Sequence, residues 1–190
     1  MEKQKYMEKQ RFYYDKNFLG SKSGRPIRIL SEYLFPLESF QKHKVDSTVV
    51  FFGSARIENK NDTPINKYYK KARDLAYVIT KWNMEKYDGK KFVVTSGAGP
   101  GIMEAANRGA FDVGCKSIGL NIKLPAEQQP NPFITPELCF QFKYFALRKF
   151  HFILRLHHLI LTPKFLCLIL RFLNRFRLAF SFLPLQLLSL

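Results

Sequence analysis

The apolar positions of this chain alternate between two rhythms. Short continuous apolar runs bounded by turn residues occur at 48–53 (TVVFFG), 91–95 (KFVVT) and 117–122 (SIGLNI). Their length and β-branched content predict strands buried on both faces. At 65–82, residues Tyr68, Tyr69, Ala72, Leu75, Ala76 and Ile79 recur at helical spacing, and 102–111 follows as a second helix. Upstream, Ile29, Leu30, Tyr33, Leu34 and Leu37 predict a helix over 26–43, with Pro36 as a break or kink. The polar and aromatic segment 1–20 is a helix or a loose arm, and 139–156, aromatic and basic, is predicted mostly helical. Strand, helix, strand, helix, strand is the order of an open parallel sheet.

Residues 94–110 (VTSGAGPGIMEAANRGA) place a glycine-rich turn between the second strand and its helix. Gly97, Gly99 and Gly101 let the backbone approach a ligand closely, and the helix directs its positive end at the same spot. This order suits phosphate binding better than an isolated glycine pattern does. A dinucleotide fold places an acid at the end of the next strand, where this chain has Asn121-Ile122-Lys123. A mononucleotide or sugar phosphate is therefore preferred over NAD. Gly53-Ser54-Ala55-Arg56, after the first strand, is either a phosphate or base grip or an ordinary capped turn. Arg148-Lys149, within YFALRKFHF, is either a snorkelling surface pair or a phosphate clamp. Glu104 suits the first turn of its helix as a capping acid, and Asn107 is read as a packing or turn-satisfying group.

The composition shifts from His151 onward. The last 40 residues hold 14 Leu, 6 Phe and 5 Lys or Arg, with no acid. Charges at Arg155, Lys164 and Arg171 argue against a membrane span. Domain core, contact with a membrane surface and non-native sequence stay open for this tail. No glycine follows Gly119 and no acid follows Glu137.

Bulk properties narrow the classes further. The length of 190 residues suits one domain with a sizeable core. The net charge of +16 rests on scattered lysines, so it is read as a solvated basic surface with no nucleic-acid partner. Cys115, Cys139 and Cys167 match neither a zinc spacing nor a disulfide framework, and a reducing cytoplasm is the expected location. His151, His157 and His158 lack partners at ligand spacing, so no metal site is expected. The charged N-terminus lacks the apolar segment of a signal peptide.

FFGSAR, then SGAGPGIMEAANRGA, then SIGLNIKLPAEQQPNPFITPELCFQFKYFALRKF together resemble the Lonely Guy (LOG) family of nucleoside 5′-monophosphate phosphoribohydrolases. The match covers roughly residues 20–155, and GRPIRILSEYL resembles the longer bacterial branch, some members of which are called AMP nucleosidases. The resemblance implies a Rossmann-like doubly wound parallel α/β sheet, here incomplete at its C-terminal side. It also implies a homodimer and hydrolysis of the N-glycosidic bond to free base and ribose 5-phosphate, with no cofactor and no metal. By the same resemblance Arg148 is catalytic, and Ser54, Gly97, Gly99, Gly101, Glu127 and Lys149 contact the nucleotide.

The chain departs from the family after the Arg-Lys helix. There the family carries a further strand and a Pro-Gly-Gly-x-Gly-Thr-x-x-Glu motif, which a chain with no glycine beyond Gly119 lacks. The expected organisation is a helical extension over 1–44, a partial nucleotide-binding domain over 45–155 and an aberrant Leu/Phe-rich basic tail over 156–190, consistent with a reading-frame shift. The further strand is expected to be missing and activity to be impaired. The alternatives are a non-catalytic nucleotide-phosphate binding module and an interaction protein acting through its tail.

Overall fold

A computed structural model describes residues 11–57, 67–123 and 129–161. A 3-10 turn at Phe12–Tyr14 leads to the short helix α1 (Lys16–Gly20), whose first turn is capped by the Asp15 carboxylate accepting from the N–H groups of Asn17 and Phe18. Then follow α2 (Arg25–Lys42), β1 (Thr48–Phe52), α3 (Lys67–Tyr87), β2 (Val93–Ser96), α4 (Ile102–Phe111) and β3 (Ser117–Ile122). A 3-10 turn at Pro136–Leu138 precedes β4 (Cys139–Phe142), α5 (Phe145–Leu154) and β5 (Leu156–Leu161).

The five strands form one parallel sheet in the order β4-β3-β2-β1-β5. The fold is therefore Rossmann-like, a parallel sheet with helices on both faces. Strand alternation divides the core accordingly. Val50, Val93, Ile118 and Leu120 pack with Phe40 of α2 and Phe152 of α5. Val49, Phe51 and Val94 pack on the opposite face with Ala76 of α3 and Ala106 and Ala110 of α4. Alanine and Gly109 thin the α3–α4 contact, and a Cβ on Gly109 would stand 2.8 Å from that of Ala76. These two helices can therefore pack backbone to backbone.

The structure completes one expectation and corrects two others. The segment 139–156 is mostly helical, through α5 at Phe145–Leu154, but it opens with the edge strand β4 at Cys139–Phe142. Phe140 and Phe142 pack inward while Gln141 is exposed, a period of two that the aromatic content obscured. Pro36 does not break α2, which runs continuously from Arg25 to Lys42 with Pro36 buried inside it. Finally, the strand after the Arg148 helix is present. β5 joins β1 as a parallel neighbour, carried across the sheet from the β4 edge by α5. An apolar run beside an open strand edge pairs through backbone groups, which need no particular side chains. Residues beyond 161, and the tail expectations that concern them, lie outside the described residues.

Candidate functional site at the carboxyl edge of the sheet

All five strands end at one edge, where ligands of open α/β sheets bind. The turns after β1 and β2 are locked together there. The Ile102 N–H donates to the Ser54 carbonyl at 3.1 Å, joining the first turn of α4 to the loop after β1. Gly53 lies so close to Ile102 that a side chain would collide with it. Gly101 has φ +72°, and any Cβ there would strike the Ser54 carbonyl. Both glycines are thus required for the close approach of two turns, and Gly101 also for its backbone conformation.

A buried polar network holds the glycine turn. Ala98 is fully buried and left-handed, with φ +65°, a conformation costing about 1–2 kcal/mol for a residue with a side chain. Its N–H donates to the Ser96 hydroxyl at 3.0 Å, and its carbonyl accepts from the Asn131 backbone N–H at 2.8 Å. The Asn131 amide also donates to Ala98 O (3.1 Å), Gly99 O (3.2 Å) and Asn107 Oδ1 (3.1 Å). Asn107 Oδ1 accepts from the Ser96 hydroxyl at 2.6 Å, and its amide donates to Ile118 O at 3.3 Å. Strand, turn, helix and proline-rich loop are joined through three buried side chains. Asn107 is the turn-satisfying group expected of it.

Arg148 reaches this turn from α5. Its Nε donates to Leu120 O at 2.6 Å and its Nη2 to Gly97 O at 3.3 Å. Ser96 is the last residue of β2 paired with β3, opposite Gly119, so Gly97 and Leu120 are the next pair in register. The guanidinium bridges the two chains where the ladder stops. Gly97 is needed for this approach, because a Cβ would sit 2.7 Å from Arg148 Nη2 and 2.8 Å from Met103 Sδ. Burial pushes the guanidinium pKa below its ordinary value. Neither ion pair found among the described residues involves Arg148. The guanidinium also lies 5.3 Å from the centroid of the Phe152 ring. A half-buried cation held by carbonyl dipoles and a ring face, with no carboxylate in the described ion pairs, is poised to take an anion.

The remaining expected residues divide. Ser54 lies at this edge, and its hydroxyl oxygen accepts from the Arg56 N–H at 3.2 Å, the bond of an ordinary capped turn. Lys149 is exposed on α5, whereas Arg148 is partly buried. Glu127 lies outside the described residues. Glu104 accepts a 2.7 Å hydrogen bond from the Tyr69 hydroxyl of α3. Burial, and then that hydrogen bond, raise the Tyr69 pKa. Among the described residues no cluster of three or more His, Cys, Asp or Glu could hold a metal ion, and no helix is long and apolar enough to cross a membrane.

Sequence reasoning missed Ser96 and Asn131. The strand-terminal serine and an asparagine between two prolines (QPNPF) were the available signals. What makes them matter is their meeting at Asn107, from 11 and 24 residues away.

Fold and edge together define a parallel α/β domain with a glycine turn and an arginine at the carboxyl end of its strands. No family model and no curated protein matches the chain. Among solved structures, it is similar to that of TM1055, a structural-genomics target, at 22% identity and a TM-score of 0.46. That match covers 60% of this chain, which spans about 59% of the other.

Proposed function

We propose that this chain binds a nucleoside 5′-monophosphate at the carboxyl edge of its sheet and descends from phosphoribohydrolases that release base and ribose 5-phosphate. The observation that carries the reading is Arg148, held by Leu120 O and Gly97 O directly over the glycine turn. Its charge faces no carboxylate in the described ion pairs, so an anionic phosphate supplies the missing partner. The α4 N-terminus adds backbone N–H groups to the same place.

Hydrolysis needs more than this. Cleaving an N-glycosidic bond develops positive charge on the ribose, and a carboxylate beside the anomeric carbon stabilises it, as in glycoside hydrolysis. No acid follows Glu137 in the chain. Glu104, the carboxylate in the first turn of α4, is engaged by Tyr69. These facts favour binding with hydrolysis strongly impaired. Titration of the protein with AMP by calorimetry, with adenine release followed by chromatography, tests both halves. Binding without turnover is expected. The absence of any AMP binding would overturn the site, and turnover of roughly 1 per second or faster would overturn the loss of activity.

A further inference from the structure

The helix that carries Arg148 is gripped near both ends by one residue of α2. The Glu32 carboxylate accepts from the backbone N–H of Lys143 (2.8 Å) and of Tyr144 (3.1 Å), the two residues that lead into α5. The Glu32 backbone carbonyl accepts from His151 Nε2 at 3.0 Å, in the last turn of the same helix. That carbonyl is free to do so because of Pro36. In an α-helix, residue 36 would donate its N–H to the carbonyl of residue 32, and proline has no N–H to give. The buried proline inside α2 thus removes a helical hydrogen bond, and the His151 ring of another element replaces it.

His151 is 1% exposed, so its ring cannot turn to water for a substitute. The rings of Tyr33 and Phe40 from α2, Phe142 from β4 and Phe150 from α5 pack around it. Arg148 lies between the two gripped ends, one turn before His151. Its Nη2 reaches Gly97 O at 3.3 Å, a length that a small slide of α5 along its axis would break.

We propose that Glu32 is a positioning residue, which sets the axial position of α5 through Lys143, Tyr144 and His151 and so places the Arg148 guanidinium over the glycine turn. On this view α2 is part of the site's alignment as well as a cover for the sheet. The inference rests on Arg148 being the anion-binding group of the proposed site, and its test separates the two claims.

The test follows the Arg148 side-chain Nε–H by nitrogen-15 NMR in the full chain, assigned by its loss in Arg148→Lys, together with AMP affinity by calorimetry. In Glu32→Ala the Arg148 Nε–H is expected to exchange with water at least tenfold faster, and the AMP dissociation constant to rise about tenfold. Both variants keep the backbone carbonyl that His151 bonds; Glu32→Gln also keeps one side-chain acceptor for the Lys143 or Tyr144 N–H, and should recover most of the protection and of the affinity. Pro36→Ala restores an in-helix donor to compete for the Glu32 carbonyl. It should therefore speed Arg148 exchange even though alanine is the better helix former. That variant carries the test if Glu32→Ala does not fold. Unchanged Arg148 exchange in Glu32→Ala, or in Pro36→Ala where only the latter folds, would overturn the inference. If the wild-type chain fails to bind AMP, the proposed function falls, while the exchange rates still decide whether Glu32 positions Arg148.

Discussion

Arg148 and His151 sit three residues apart on one helix, and burial acts on the two in different ways. Arg148 keeps its charge and satisfies it on two carbonyls. Replacing it with lysine keeps the charge but loses the planar fork that spans Leu120 O and Gly97 O together. Hydrogen bonds to charged groups are worth about 1.5–3 kcal/mol each, so Arg148→Lys should weaken AMP binding at least tenfold by calorimetry. An unchanged dissociation constant would remove Arg148 from the site. His151 instead stays neutral, because burial lowers its pKa more than the Glu32 carbonyl raises it. Its folded pKa lies below its unfolded value near 6.5. Above that pH neither state is protonated, and the ring leaves stability unaffected by pH. As pH falls through about 6.5 the unfolded chain takes up the proton first and stability drops, until the folded-state pKa is passed. Urea titrations of wild type and His151→Phe between pH 7.5 and 5 should show the wild-type midpoint falling more steeply. Parallel curves would contradict the buried neutral ring.

At the scale of elements, hydrogen bonds across the sheet's carboxyl edge hold what hydrophobic packing does not. Asn131 ties the proline-rich loop to the glycine turn and to α4 through four hydrogen bonds, and it is buried. Truncating it to alanine removes the side-chain donor to Gly99 O and the acceptor of the Phe133 N–H, and leaves Ala98 O with the Asn131 backbone N–H and Asn107 Oδ1 with the Ser96 hydroxyl, at about 1–3 kcal/mol. Asn131→Ala should lower the urea midpoint by the equivalent amount with an unchanged slope. A loss below about 0.5 kcal/mol would mean that the turn is held otherwise, most simply by the Ser96–Asn107 pair alone. Strands and helices were legible at this scale wherever one rhythm dominated. The helix at Ile102–Phe111 matches its expected bounds, and β1, β2 and β3 lie within three residues of theirs. β4 was not legible, because its four residues (CFQF) are too short to show a period and run into a helix equally rich in aromatics. That Pro36 would not break α2 was not legible, because a helix can keep a proline when another element satisfies the freed carbonyl, and His151 lies 119 residues from Glu32.

For the whole molecule, the parallel sheet and its two helical layers bring the strand ends to the one edge at which binding is proposed, and the proposed loss of hydrolysis rests on the lack of any acid after Glu137. Adenine release from AMP should stay close to the uncatalysed background. Grafting after β5 the glycine and glutamate segment of the phosphoribohydrolases that the sequence resembles should, on the proposed function, raise it by orders of magnitude, and Arg148→Ala in the grafted protein should abolish the gain. An equal rate before and after grafting would show that the missing segment is not what limits the chain. The amino-acid sequence by itself determined the layer architecture, because buried parallel strands and amphipathic helices announce themselves through local periodicity. It also determined the glycine turn and the lack of late acids, which are matters of residue identity. Only the tertiary structure decided that Arg148 bridges Leu120 and Gly97, that Asn131 and Ser96 converge on Asn107, that Glu32 grips both ends of α5, and that 156–161 completes the sheet beside β1. Each of these joins groups far apart in the chain, and such a contact leaves no periodic trace because its partners meet only once the strands have been ordered β4-β3-β2-β1-β5.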